Sequence, residues 1–271
     1  MRRRTGRTRG TATPRAAATR AVSAAAALAV AGALLLTACG GGSDTGSHGG
    51  SRKDSSAAGK GADPAGRSGG HAAAPVATRT LPGVGARLSA QVPAGARQAI
   101  VVYGASPTTS KSSVAFFTRA ADGWHRGPSW PSHNAIHGWT VDHHEGDLKS
   151  PVGVFTLHDA GGLLADPGSK LPYTRSTAFT PSPSWPASYQ HDFDYVIAID
   201  YNRVVGTSPS DPTRPQGESK GGSIWIHLDH GVGTSACVTV SKDAMRYLLR
   251  TVDPAAHPVI VMGDTAHLAA S

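Results

Sequence analysis

Ser223-Ile224-Trp225-Ile226-His227-Leu228-Asp229-His230-Gly231-Val232-Gly233-Thr234-Ser235-Ala236-Cys237-Val238-Thr239-Val240 is the stretch that decides how this chain folds. The apolar run 223–227 reads as a strand ending in the His227 imidazole. Gly231 and Gly233 punctuate a loop over 229–233, and a second strand-like run, 234–240, follows it. A chain that turns back in this way sets Cys237 beside the strand end that carries His227. Trp225 lies two residues before His227, so both project from one face of the strand. Its ring is expected either to line a pocket beside the imidazole or to join the core.

Working outward, the next element is a helix. Ser241 can cap its N-terminus, Met245, Leu248, Leu249 and Val252 share one face, and Pro254 lies just past its end. Other strand-like stretches are 98–103, 113–118, 153–157, 194–200 and 258–263, broken by Gly, Pro, Asp and Ser. Short strands of this kind predict a mainly β fold with one or two helices. They occupy one domain over 81–271, a comfortable size of ~190 residues for one core.

The first part of the 271-residue chain has a different character. Residues 1–20 carry seven arginines and no acid, and 21–36 is a small, apolar run followed at once by Leu36-Thr37-Ala38-Cys39. A basic segment, a short apolar segment and small residues before a cut site predict an export signal over 1–38. The run is shorter than the ~20 residues a membrane-spanning helix needs. The Leu-Thr-Ala-Cys tetrad resembles a lipobox, which implies a diacylglycerol anchor on Cys39 and an extracytoplasmic chain held on the outer face of the membrane. Residues 39–80 are rich in Gly, Ser and Ala without apolar periodicity, which predicts a flexible tether.

Cleavage before Cys39 removes those seven arginines, so the formal charge of +8 falls close to +1 in the mature chain. The high pI therefore belongs to the signal and gives no reason to expect a nucleic-acid partner. The two cysteines are Cys39 and Cys237. With Cys39 lipidated, Cys237 is an unpaired thiol, either a buried core residue or a nucleophile. A thiol is only slightly ionised near neutral pH, and a neighbouring imidazole can take its proton and leave a thiolate–imidazolium pair. The N–H groups of Ala236 and Cys237 are candidate oxyanion donors.

These blocks resemble the YkuD-type L,D-transpeptidase catalytic domain, particularly a compact branch found in actinobacterial lipoproteins. The resemblance rests on Ile226-His227, a loop, and Thr234-Ser235-Ala236-Cys237. It extends through 253–260, through Glu145-Gly146-Asp147-Leu148-Lys149-Ser150-Pro151-Val152-Gly153-Val154-Phe155 upstream, and through Asp194-Tyr195-Val196 to Asp200-Tyr201-Asn202. It implies a β-sandwich-like fold, Cys237 as nucleophile, His227 as general base and Ser235 as part of the motif wall. It further implies acyl transfer from peptidoglycan stem peptides to an amine, with no cofactor and no metal. Two departures stand out: Ala236 replaces the family's usual glycine, and Thr239 stands where many larger members have arginine.

Other readings remain open at this point. Ala236 motivates a catalytically inactive wall-binding module. His257 and His267 follow Cys237, as a papain-like or NlpC-type cysteine peptidase would require. His230 in the loop is a second possible base or pocket residue. His133 and His137 are four apart, near Asp142, His143, His144 and Glu145, but Pro131, Gly138 and Asp142 argue against a zinc-binding helix. A surface or substrate-lining loop is expected there.

Overall fold

The computed structural model describes residues 77–271. The expected signal, the Cys39 anchor and nearly all of the expected tether lie outside the described residues. In chain order the elements are α1 (Ala86–Ser89), β1 (Gln98–Gly104), β2 (Lys111–Ala120), β3 (Gly123–His133), β4 (Trp139–Thr140) and β5 (Ser150–Pro151). There follow β6 (Gly153–Thr156), β7 (Ala160–Gly162), β8 (Tyr173–Arg175), β9 (Val196–Ala198), β10 (Trp225–Leu228) and β11 (Val238–Val240). Helix α2 (Lys242–Thr251), β12 (Val259–Asp264) and α3 (Thr265–Ala269) complete the chain, with short 3-10 turns between them. The domain is mainly β, as the sequence predicts.

Two five-stranded sheets carry the architecture. The first has the order β3-β2-β1-β12-β6, with β1 and β12 parallel and the other pairs antiparallel. Its central strands alternate strictly, as a pleated ribbon dictates. Ile100, Val102, Val114, Phe116, Ile260 and Met262 enter the larger core. Their neighbours Ala99, Val101, Ala115, Phe117, Val259 and Val261 enter a second core on the opposite face, closed by Leu88 of α1 and Leu268 of α3. Burial on both faces explains why these strands read as unbroken apolar runs.

The second sheet has the order β11-β10-β9-β7-β8. Ile197, Ile226, Leu228, Val238 and Val240 face the larger core, which α2 completes with Ala244, Met245, Leu248 and Leu249. The helix starts where its cap predicts: Ser241 Oγ accepts the Ala244 N–H at 3.3 Å. Strand β10 pairs parallel with β11 in the register Ile226↔Val238, His227↔Thr239, and antiparallel with β9.

Three differences from the sequence reading have physical causes. The expected strand over 194–200 shrinks to Val196–Ala198, because its terminal acids turn to side-chain partners. Asp194 pairs with Lys242 at 2.9 Å and Asp200 with Arg203 at 2.6 Å. Strand β3 has no counterpart in the reading, since it is an edge strand with few buried residues that carries Pro128 and Pro131. The loop over 142–145 is not wholly a surface loop: His143 is buried, its Nδ1 2.9 Å from Asp147. No helix among the described residues is long and apolar enough to cross a membrane.

Leu248 is fully buried where α2 meets the larger core. Leu248→Ala is expected to lower unfolding stability by about 2–5 kcal/mol, measured by urea unfolding followed by far-UV circular dichroism.

Candidate active site

The parallel pairing of β10 with β11 builds the site. The loop 229–237 must return the chain to the start of β10, and polar side chains hold it in place. Asp229 Oδ1 accepts from Thr239 Oγ1 at 2.7 Å and lies 2.9 Å from His133 Nδ1. Burial would raise the Asp229 pKa, but these two hydrogen bonds outweigh it and keep the carboxylate below its usual value. Thr234 Oγ1 donates to the Cys237 carbonyl at 2.7 Å. Ser150 Oγ donates to the Ala236 carbonyl at 2.7 Å while accepting the Ala135 N–H at 3.0 Å. The upstream block around Ser150 therefore supports the cysteine segment directly.

Cys237 carries a free thiol and lines a cavity of about 500 Å³. His227, His230, Trp225 and Ser235, singled out from the sequence, line the same cavity. Ala236 does not: its methyl group packs against the larger core. Nor does its backbone have positive φ, unlike that of Ser223, at 52°. The glycine that the resemblance leads one to expect is thus not required by the backbone here, and the extra Cβ is turned away from the cavity. Among the described residues, no turn or loop hydrogen bond takes up the N–H groups of Ser235, Ala236 or Cys237, which leaves them as donors.

The imidazole of His227 is buried, with Nδ1 2.9 Å from the Leu228 carbonyl. That contact makes Nδ1 the protonated nitrogen and leaves Nε2 as the free base. Phe193 packs edge-on to the ring, with centroids 5.3 Å apart. Burial is the main influence and takes the His227 pKa from 6.5 down to about 4, against the pull of the Asp192 carboxylate and the Leu228 carbonyl. Burial also pushes the Cys237 thiol up to about 12, with the Trp225 N–H offsetting part of the rise.

The expected thiolate–imidazolium pair is therefore not the resting state. Cys237 Sγ accepts the Trp225 N–H at 3.4 Å and donates to the Ser223 carbonyl at 3.7 Å, and among the described residues it makes no hydrogen bond to His227. Both partners rest neutral, because a dry site disfavours two separated charges.

Some neighbours went unrecognised in the sequence. Asp192 lies 2.9 Å from His230 Nδ1, and His230 stacks on Tyr189 with centroids 4.0 Å apart. Burial pulls the His230 pKa down, but the Asp192 carboxylate and the charge of Asp229 outweigh it and raise the value. Trp185, exposed at the mouth, and Phe193 give the cavity an aromatic wall. The segment 185–193 lacks any periodic pattern, so nothing in the sequence placed it here. The histidines that follow Cys237 lie elsewhere. His257 lines a separate cavity with His158, and His267 pairs with Asp264. His133, His137, His143 and His144 do not line the main cavity either.

No protein-family model matches this chain, and no curated protein matches it. Among solved structures the chain is similar to Bd1075 of Bdellovibrio bacteriovorus, at 13% identity and a TM-score of 0.37. That match covers 70% of this chain and 52% of the other, so the chain spans about half the length of that protein.

A thiol raised to about 12 carries little thiolate at neutral pH. Alkylation of Cys237 by iodoacetamide is expected to be slow and to climb with hydroxide from about pH 6 to about pH 9. A pH-independent plateau across that range would reveal a preformed thiolate.

Proposed function

We propose that this chain is a cysteine-dependent L,D-transpeptidase acting on peptidoglycan stem peptides. We propose further that a lipid on Cys39 anchors it outside the cytoplasm, so that residues 39–80 reach the wall. The observation that carries the first reading is the convergence of Cys237 and His227 on one cavity, with His227 Nδ1 occupied by the Leu228 carbonyl and Nε2 free. The resemblance of the surrounding blocks to the YkuD-type domain supplies the substrate class.

The neutral resting pair sets the order of events. The thiol leaves the Ser223 carbonyl and presents its proton to His227 Nε2 as sulfur attacks the carbonyl carbon of the stem's L-centre. A C–S bond forms, and the carbonyl π electrons move onto oxygen. The N–H groups of Ala236 and Cys237, which no turn or loop hydrogen bond takes up among the described residues, are the donors assigned to that developing charge. Collapse breaks the C–N bond, and the imidazolium gives its proton to the departing amine of the terminal D-residue. An acceptor amine then attacks the thioester, losing its proton to His227. The new amide leaves, and sulfur recovers its proton.

The alternatives fare less well. A wall-binding module without activity was motivated by Ala236, whose methyl group lies outside the cavity. A peptidase with cysteine before histidine requires His257 or His267, and neither lines the cavity that holds Cys237.

Incubation of the full chain with a carbapenem, followed by intact-mass measurement, tests the proposal. One covalent adduct is expected in the wild type and none in Cys237→Ala. His227→Ala is expected to slow adduct formation by about 10²–10⁴-fold. In chelator-treated protein the acid limb of the rate should fall near the His227 value of about 4 rather than 6.5, since protonation removes the base. An adduct that persists in Cys237→Ala, or no adduct together with intact stems, would overturn the reading.

A further inference from the structure

We propose that Asp192, His227 and His230 form a binding site for a single Zn²⁺ ion, and that this ion switches the site off by taking the base. One potential ligand atom from each of the three residues lies within 4.8 Å of the others. Two ligand atoms about 2.1 Å from a common ion stand at most about 4.2 Å apart, so a small side-chain shift closes the set.

A second observation points the same way. The His230 side chain is only 2% exposed and lines the cavity, and its Nε2 has no hydrogen-bond partner among the described residues. Its Nδ1 lies 2.9 Å from Asp192 Oδ2, which already sets the carboxylate beside the imidazole. Buried imidazoles are normally satisfied, and one that is not calls for a ligand. His227 already has the orientation of a metal ligand, with Nδ1 on the Leu228 carbonyl and Nε2 turned free. Two imidazoles and one carboxylate suit zinc, and three protein ligands leave a coordination position open. Cys237 is not among the three.

An ion on His227 Nε2 occupies the lone pair that must accept the Cys237 proton. The inhibition, though not the binding, rests on the reading of His227 as general base. Zinc would then hold the protein inactive until a competing ligand removes it.

The test titrates chelator-treated full chain with zinc chloride by calorimetry, without substrate. One ion per chain is expected. His230→Ala and Asp192→Asn should each weaken binding more than about 100-fold, whereas Cys237→Ser and the surface variant His144→Ala should bind as the wild type does. Zinc should raise the melting temperature of the wild type but not of His230→Ala. The melting temperature without metal shows that each variant is folded. Equal zinc affinity in folded His230→Ala, or no saturable one-to-one binding, would overturn the site. If the site binds zinc and the carbapenem reaction is as fast with zinc as with chelator, the switch is wrong while the site stands.

Discussion

The parallel register between Trp225–Leu228 and Val238–Val240 is the constraint on which the rest of the site depends. It aligns His227 with Thr239 and so brings Cys237 back to the start of the preceding strand. The Trp225 N–H then meets the thiol, the Leu228 carbonyl meets the imidazole, and both reactive groups face one cavity. A slip of one residue would turn His227 from the cavity towards the core. The register is protected because Ile226, Leu228, Val238 and Val240 are all buried in the larger core.

The same burial that fixes the register determines the chemistry. It keeps the His227 imidazole unprotonated and the Cys237 thiol undissociated, so these two groups do not rest as an ion pair. Protection of the thiol follows, since a neutral sulfur resists oxidation better than a thiolate. Under the proposed mechanism, attack then requires a carbonyl carbon in place, which would couple nucleophilicity to the presence of substrate. Hydrogen bonds of 2.7 Å from Thr234 and Ser150 hold the carbonyls of Cys237 and Ala236.

Much of this was legible in the sequence, for identifiable reasons. The central strands are buried on both faces and read as apolar runs, and Ser241 with Met245, Leu248 and Leu249 marked α2 by cap and period. His227, Cys237, Trp225, His230 and Ser235 were legible because they lie on or beside one strand-loop-strand unit. Asp192, Tyr189 and Phe193 were not, because only the tertiary fold brings their segment over the cavity. The state of the reacting pair was not legible either. Spacing predicts that two groups meet, but their protonation depends on how dry the meeting place is. Ala236 shows the reverse case: a departure in sequence that is mild in structure, since its φ is not positive and its methyl group joins the core.

The central claim is a thioester between Cys237 and the stem acyl group. Its most direct test is mass spectrometry of the full chain, quenched in acid during turnover of a disaccharide tetrapeptide and then mapped by peptide. The account predicts that Cys237 gains the mass of the stem acyl group without its terminal D-residue, and that added amine discharges it. Turnover of the stem by the wild type with no adduct on its Cys237 peptide, together with turnover by a Cys237→Ser chain at the same rate, would contradict it.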